Sequence, residues 1–340
     1  YSWHKIFDVN VPVGVLAVLL AAFVQKEWKN QTRSPFDWQG FAAIVLFMPL
    51  AIYALARGNS PSNPGGWSAP EVIGCFIVAG AALAWFIVAE LRNPAPLLQI
   101  RLLAERNFGI SMAVLTLFAI GMLGGTYLLP LYMQRGLGYT ALAAGSMFLP
   151  VGVIQGVLSA VSGYLTRYVR PLLLSAAGIL IMALSFWLAS RFTLHTTHGH
   201  ILFILYLRGF GMGLTFAPLN LFSLKNLTQQ DMAAAAGISN SIKQLAGSIG
   251  IALLTVIFSA RTSYHAAHET VSAAQTYVEG VTDALRVVAV ITLAALLPLL
   301  GVFRKKRQGK SGVKGAATPS PGEAVSGKTD KTTIYRTKPE

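Results

Sequence analysis

Asn240, Lys243, Gln244, Gly247 and Ile251 recur at three- and four-residue spacing within an apolar run from about Ala233 to Ala260. In a helix, that spacing puts a cation, two amides and a glycine on one face. The opposite face is leucine, isoleucine and alanine. A run of this length spans a bilayer, where a charge far from the ends is costly unless it faces protein or water. Lys243 stands about ten residues, or roughly 15 Å, inside the run, farther than its stem comfortably snorkels. Its burial in lipid costs on the order of 2.5 to 3.5 kcal/mol. The chemistry such a face offers is recognition, a cation and amides lining a polar path. The plainer account is a structural cation bonded to backbone carbonyls, and the insertion cost favours the path. Gly247 and Gly250 are read as helix-packing positions.

A second cation opens Arg208-Gly209-Phe210-Gly211-Met212-Gly213. Neither a preceding strand nor G-x-G-x-x-G is present, so a nucleotide loop is excluded. Gly209, Gly211 and Gly213 let a neighbouring helix approach, while Arg208 is buried in the same span. Pro218 and Asn220 follow, so the backbone bends near a polar side chain. Gln155 is a candidate lining residue, although a lone amide is more often an interhelical hydrogen bond. Asp8 is read as the one acidic residue inside a span and away from its edge; three residues from Lys5, it suits a solvated interfacial pair. His195, His198 and His200 lack the further ligands a structural metal needs and read as an outer loop, with no metal site expected. Ser-His-Asp sets and paired carboxylates at membrane depth are missing from the pattern, which argues against an enzyme.

These residues require long apolar helices to hold them. Of 340 residues, 54% are hydrophobic and 12% charged, the balance of an integral membrane protein. Hydropathy predicts about nine spans, approximately Ile6 to Val24, Trp38 to Ala56, Pro70 to Glu90, Phe108 to Met133, Leu142 to Tyr164, Pro171 to Ser190, His200 to Leu224, Ala233 to Ala260 and Ala284 to Phe303. The predicted fold class is all-α, a polytopic transmembrane helix bundle. Half of the net charge of +14 lies after Phe303, where ten Lys and Arg meet three Asp and Glu, so no nucleic-acid partner is expected. Cys75 has no disulfide partner.

Alternate loops differ in Lys and Arg. One set holds Lys26, Lys29, Arg33, Arg92, Arg101, Arg106, Arg167, Arg170, Lys225, Arg304, Lys305, Lys306, Arg307 and Lys310, fourteen against about six in the other. The positive-inside rule places the C-terminus in the cytoplasm. Residues 91–107 alternate apolar and basic positions after two prolines and read as an amphipathic surface connector. It separates three spans in residues 1–90 from six in 108–303. Residues 304–340 read as a basic disordered tail that also attracts anionic lipid. Tyr1 in place of Met, with no leader pattern, gives the expectation of a chain cut within a longer protein.

The residues resemble the major facilitator superfamily, in particular its fourteen-span drug:proton antiporter branch. The resemblance rests on Trp3 to Gly14; on Pro96-Leu97-Leu98 with Arg101-Leu102; and on Leu129 to Gln134 with Gly138-Tyr139, Ala144-Gly145 and Pro150. Arg208 to Gly213, Ala235-Ala236-Gly237 and Lys243 to Gly250 complete it. Lys243 stands where that pattern more often has arginine, keeping the charge but losing the planar fork. The resemblance implies that these are spans six to fourteen, with the proton-coupling residues in earlier spans. Gly163 to Arg170 is similar to a degenerate cytoplasmic gating loop, with Arg167 and Arg170 as its cations. It further implies a bacterial inner-membrane exporter of small molecules or drugs, driven by proton antiport through rocking of two helical halves. The pathway would include Arg208, Asn220, Asn240, Lys243, Gln244 and Gln155. Lipid, substrate, protons and a periplasmic adaptor protein would be its partners, and no cofactor is expected. A receptor or scaffold built on a transporter-like bundle is the alternative that the residues leave open.

Overall fold

Four side chains mark where helices begin. The carboxylates of Asp37 and Glu105 accept from the amides of Gly40 (2.9 Å) and Phe108 (2.7 Å), and the hydroxyls of Thr140 and Ser272 accept from Ala143 (3.2 Å) and Gln275 (3.3 Å). Each satisfies an amide that the first turn leaves without a helical partner. Pro70, Pro150 and Pro171 occupy first turns, where a missing N–H does no harm.

The computed structural model describes residues 5–24, 37–58, 63, 65–93, 100–229, 231–268 and 272–301. Its α-helices are α1 (Lys5–Val24), α2 (Trp38–Gly58), α3 (Pro70–Arg92), α4 (Arg106–Leu131), α5 (Ala141–Ser146), α6 (Leu149–Leu165), α7 (Pro171–Ala189), α8 (His198–Leu224), α9 (Met232–His268) and α10 (Ala273–Ala294). Among the described residues there is no strand. Among the described residues eight helical stretches are long and apolar enough to cross a membrane, while the apolar part of α1 is the shorter Gly14–Phe23. The bundle is all-α, as hydropathy predicts.

Three boundaries differ from that pattern. The predicted fifth span is split into α5 and α6, because the chain turns at Met147 and Phe148 just before Pro150. α9 continues to His268, past the predicted end at Ala260, and α10 begins at Ala273 rather than Ala284. Hydropathy stops at the first charge, but Arg, Ala and Glu are good helix formers and carry the helices onward. Of the connector, Ile100–Ala104 forms a short 3₁₀ helix, and 94–99 lie outside the described residues. The predicted tail, 304–340, also lies outside them, as do the side chains of Lys5 and Asp8.

The chain forms two compact units. The first comprises residues 1–104 with 227–241 and holds the α2–α3 hairpin. The Trp67 indole packs against Gly58, and Asn63 donates to the carbonyls of Arg57 (3.1 Å) and Gly66 (2.9 Å). Arg57 and Glu71 pair across the hairpin at 2.8 Å. At the other end Gly40 lies between the carboxyls of Asp37 and Glu90, both buried.

The second unit, 105–226 with 242–340, packs α4, α6, α7, α8 and α10 about Phe118, Met182, Phe186 and Leu205. Small residues set its spacing. Gly211 of α8 approaches so near Gly178 and Met182 of α7 that a Cβ would lie 2.8 Å from the Met182 nitrogen. Ser162 donates to the Gly213 carbonyl at 2.9 Å, binding α6 to α8. Beyond Pro130, α4 runs into a π-helical turn at Tyr132–Gly136, where the Tyr132 hydroxyl donates to the Thr193 carbonyl at 2.7 Å. Gly138, with φ of +72°, then reverses the chain into α5, a conformation glycine adopts freely.

Candidate functional site

α8 carries Arg208 into the interior of the second unit. The side chain is 3% exposed. Its Nη2 donates to the Met122 carbonyl of α4 at 3.1 Å and to the Thr126 hydroxyl, and the guanidinium lies 5.6 Å from the Phe186 ring centre. Thr126 itself donates to the Met122 carbonyl at 2.6 Å. Carbonyl, hydroxyl and ring each offset part of the desolvation of a buried cation. Among the described residues Nε and Nη1 have no hydrogen-bond partner. Arg208 thus sits between α4, α7 and α8. Thr126, which the sequence pattern did not single out, is its nearest polar neighbour.

The glycines beside it face two ways. Gly209 and Gly213 lie against the α6 backbone, with a notional Cβ 3.1 Å from the Val151 carbonyl and 3.0 Å from that of Gln155, whereas Gly211 faces α7. The Gln155 side chain is half-buried, and Asn220, beyond Pro218, is exposed.

On α9, Asn240 and Gln244 are exposed and Lys243 is half-buried. One turn on, the helix docks on α4: Gly247 meets the Leu123 side chain, and a Cβ on Gly250 would lie 2.7 Å from the Ile120 Cα. Gly247 lies at the centre of that face, as helical spacing predicts, so one turn further on the polar face itself packs on α4. The open strip is therefore Asn240, Lys243 and Gln244 on two successive turns.

Arg167 and Arg170 are exposed in the α6–α7 turn. The Arg167 guanidinium is 5.3 Å from the centre of the Tyr164 ring. The hydroxyls of Tyr164 and Tyr168 are 3.2 Å apart, and this hydrogen bond raises the pKa of Tyr168.

A cluster that the sequence pattern missed joins α9 to α10. Asp283 receives Arg261 Nε at 2.6 Å, Arg286 Nη1 at 2.9 Å and His265 Nε2 at 3.0 Å, while His265 Nδ1 lies 3.5 Å from Glu279. Glu279 and Asp283 both lie within α10, before Ala284, where its predicted apolar run begins. Their four-residue spacing, matched by Arg261 and His265 on α9, was a usable signal. It went unread because hydropathy placed all four beyond the spans.

Comparison with known proteins accords with this helical bundle. A family model described as the Major Facilitator Superfamily matches residues 1–251. The chain belongs to that family. It is 32% identical over 274 residues to the multidrug export protein EmrB of Escherichia coli (strain K12), covering 80% of this chain and 53% of the relative. Identity to the uncharacterized MFS-type transporter YhcA of Bacillus subtilis (strain 168) is 29% over 265 residues, covering 78% and 49%. To the fatty acid resistance protein FarB of Neisseria gonorrhoeae it is 28% over 267 residues, covering 78% and 52%. The chain spans about half the length of these curated relatives.

Within this family of membrane transporters, the predicted site residues fall into two groups. Arg208 and its glycines are internal to the second unit, and Asn240, Lys243 and Gln244 form a strip with open positions on α9.

Proposed function

We propose that the chain is the C-terminal portion of a proton-driven exporter of small molecules in a bacterial inner membrane, with its C-terminus cytoplasmic. The observation that carries this reading is the face of α9. A cation and two amides stay open or half-open on an apolar helix whose same face, one turn further on, is docked on α4 by glycine contacts. A polar strip held rigidly at membrane depth suits a solute path better than lipid. The similarity to the multidrug export protein EmrB and the fatty acid resistance protein FarB supports export and resistance as the class of activity.

Residues 1–90 would supply the end of the first helical half and two linker spans, 91–107 a surface connector, 108–303 the six-helix second half and 304–340 a cytoplasmic tail. Lys243, Asn240 and Gln244 would line the path with Gln155 and Asn220, and Arg208 would fix the helices behind it. Arg167 and Arg170 would serve the inner gate. A periplasmic adaptor protein would complete the export route.

The test is drug–proton exchange by the full-length exporter in proteoliposomes, with and without Lys243→Ala. Lost exchange in a normally inserted and thermally stable variant supports the path. Unchanged exchange in Lys243→Ala overturns the role of the strip.

A further inference from the structure

The ends of α9 and α10 that meet at His265 form a helical hairpin extending past both apolar runs. α9 has 37 residues, about 55 Å at 1.5 Å per residue, whereas a hydrocarbon core is about 30 Å thick. Residues 261–268 and 273–283 stand beyond Ala260 and Ala284, where those runs end. The two helices are tightly joined. Gly280 lies against Thr262, and the Phe258 and Tyr277 rings meet edge to face at 5.0 Å.

His265 sits between the helices, its side chain 12% exposed. Each ring nitrogen faces a carboxylate, Nε2 that of Asp283 at 3.0 Å and Nδ1 that of Glu279 at 3.5 Å. An ionised carboxylate only accepts hydrogen bonds, and a neutral imidazole has one N–H and one lone pair. With both acids ionised, neutral His265 must turn its lone pair toward one of them. A single added proton removes that conflict: Nε2–H donates to Asp283, and Nδ1–H faces Glu279 Oε2, which has no hydrogen-bond partner among the described residues, as an ion pair. Arg261 and Arg286 already donate to Asp283, which holds it ionised and leaves the imidazole to take the proton.

The other groups that surround the site among the described residues are consistent with this. On α9, Tyr264 stacks on His268 at 4.4 Å and lies under Arg261 at 5.1 Å. On α10, Gln275 donates to Glu279 at 3.0 Å. Tyr127 of α4 and Arg135 of the π-helical turn that follows it face Tyr277.

We propose that His265, Glu279 and Asp283 form a proton-binding site that clamps α9 to α10 when occupied and loosens the hairpin when empty. The site stands on the hairpin geometry. Its exposure to the acidic outer side rests on the orientation and antiport reading above. A proton held between an imidazole and two carboxylates makes the clamp depend on the pH of the side that it faces.

The experiment is hydrogen exchange of the full-length exporter in lipid nanodiscs, without drug or gradient, from about pH 5 to about pH 8, spanning the histidine range. After correction for intrinsic rates, backbone amides of 259–283 are expected to lose protection about fivefold as pH rises, the difference between charge-assisted and neutral bonds. His265→Gln and Glu279→Gln should each remove the step, and His268→Gln should keep it. A wild-type protein with no step, or either of the first two variants retaining it, overturns the proposal. Normal drug–proton exchange by a protein lacking the step overturns this site and leaves the antiport standing. A step without any exchange does the reverse.

Discussion

Arg208 Nη2 and the Met122 carbonyl oxygen lie 3.1 Å apart, joining α8 to α4 in the interior of the second unit. The same nitrogen is bonded to Thr126. Removing the hydroxyl while keeping the cation leaves a buried charge with one fewer partner. Thr126→Val is therefore expected to destabilise the protein by about 1–3 kcal/mol. Arg208→Met removes the charge with little loss of volume and should be tolerated far better. In a double-mutant cycle, the double variant should be no less stable than Arg208→Met alone. Thermal unfolding in detergent measures all three, and simple additivity would show that the two side chains do not interact.

The approach of Gly250 to Ile120 leaves no space for a side chain, because the obstruction is backbone. Gly250→Ala should push α9 away from α4 and cost about 1–3 kcal/mol. Gly156 of α6 has no neighbour within 4 Å of a notional Cβ. There the same substitution should stabilise by roughly 0.5–1 kcal/mol, since only helix propensity changes. Comparing the two melting temperatures separates close packing from propensity.

In the first unit, a Cβ on Gly40 would lie 2.5 Å from Asp37 Oδ2 and 3.0 Å from Glu90 Oε1. Asp37 also caps α2 through the Gly40 amide. Gly40→Ala should displace that carboxylate and weaken the cap, lowering stability by about 1–2 kcal/mol. Hydrogen exchange at the first turn of α2 should rise more than exchange in α7.

Most of the bundle could be read in advance because hydropathy and glycine spacing are local. Gly209, Gly211 and Gly213 announce close neighbours from their positions in the chain. Which neighbour each one meets depends on two helices at once, so the division between α6 and α7 was not legible. Arg208 was visible as a buried cation, but its partner Thr126 lies 82 positions away in sequence. The His265 cluster failed to show for a different reason. Hydropathy treats charge as the end of a span, whereas backbone hydrogen bonding continues the helix through Arg261 and back through Asp283 and Glu279.

The strip on α9 makes the sharpest demand on accessibility. If Asn240 and Gln244 face a water-filled path, cysteines placed there in a Cys75→Ser background should react with a small, charged maleimide, because thiolates form in water and not in hydrocarbon. Cysteines at Ala246 and Leu254 are buried positions and should stay unreactive. Lipid-facing residues are also exposed, so exposure alone does not separate the two settings; the charged reagent does. Reaction at 240 and 244 that is slowed by a transported drug supports a shared path. Failure of both positions to react, with normal insertion and export, would place the strip against lipid or a partner helix.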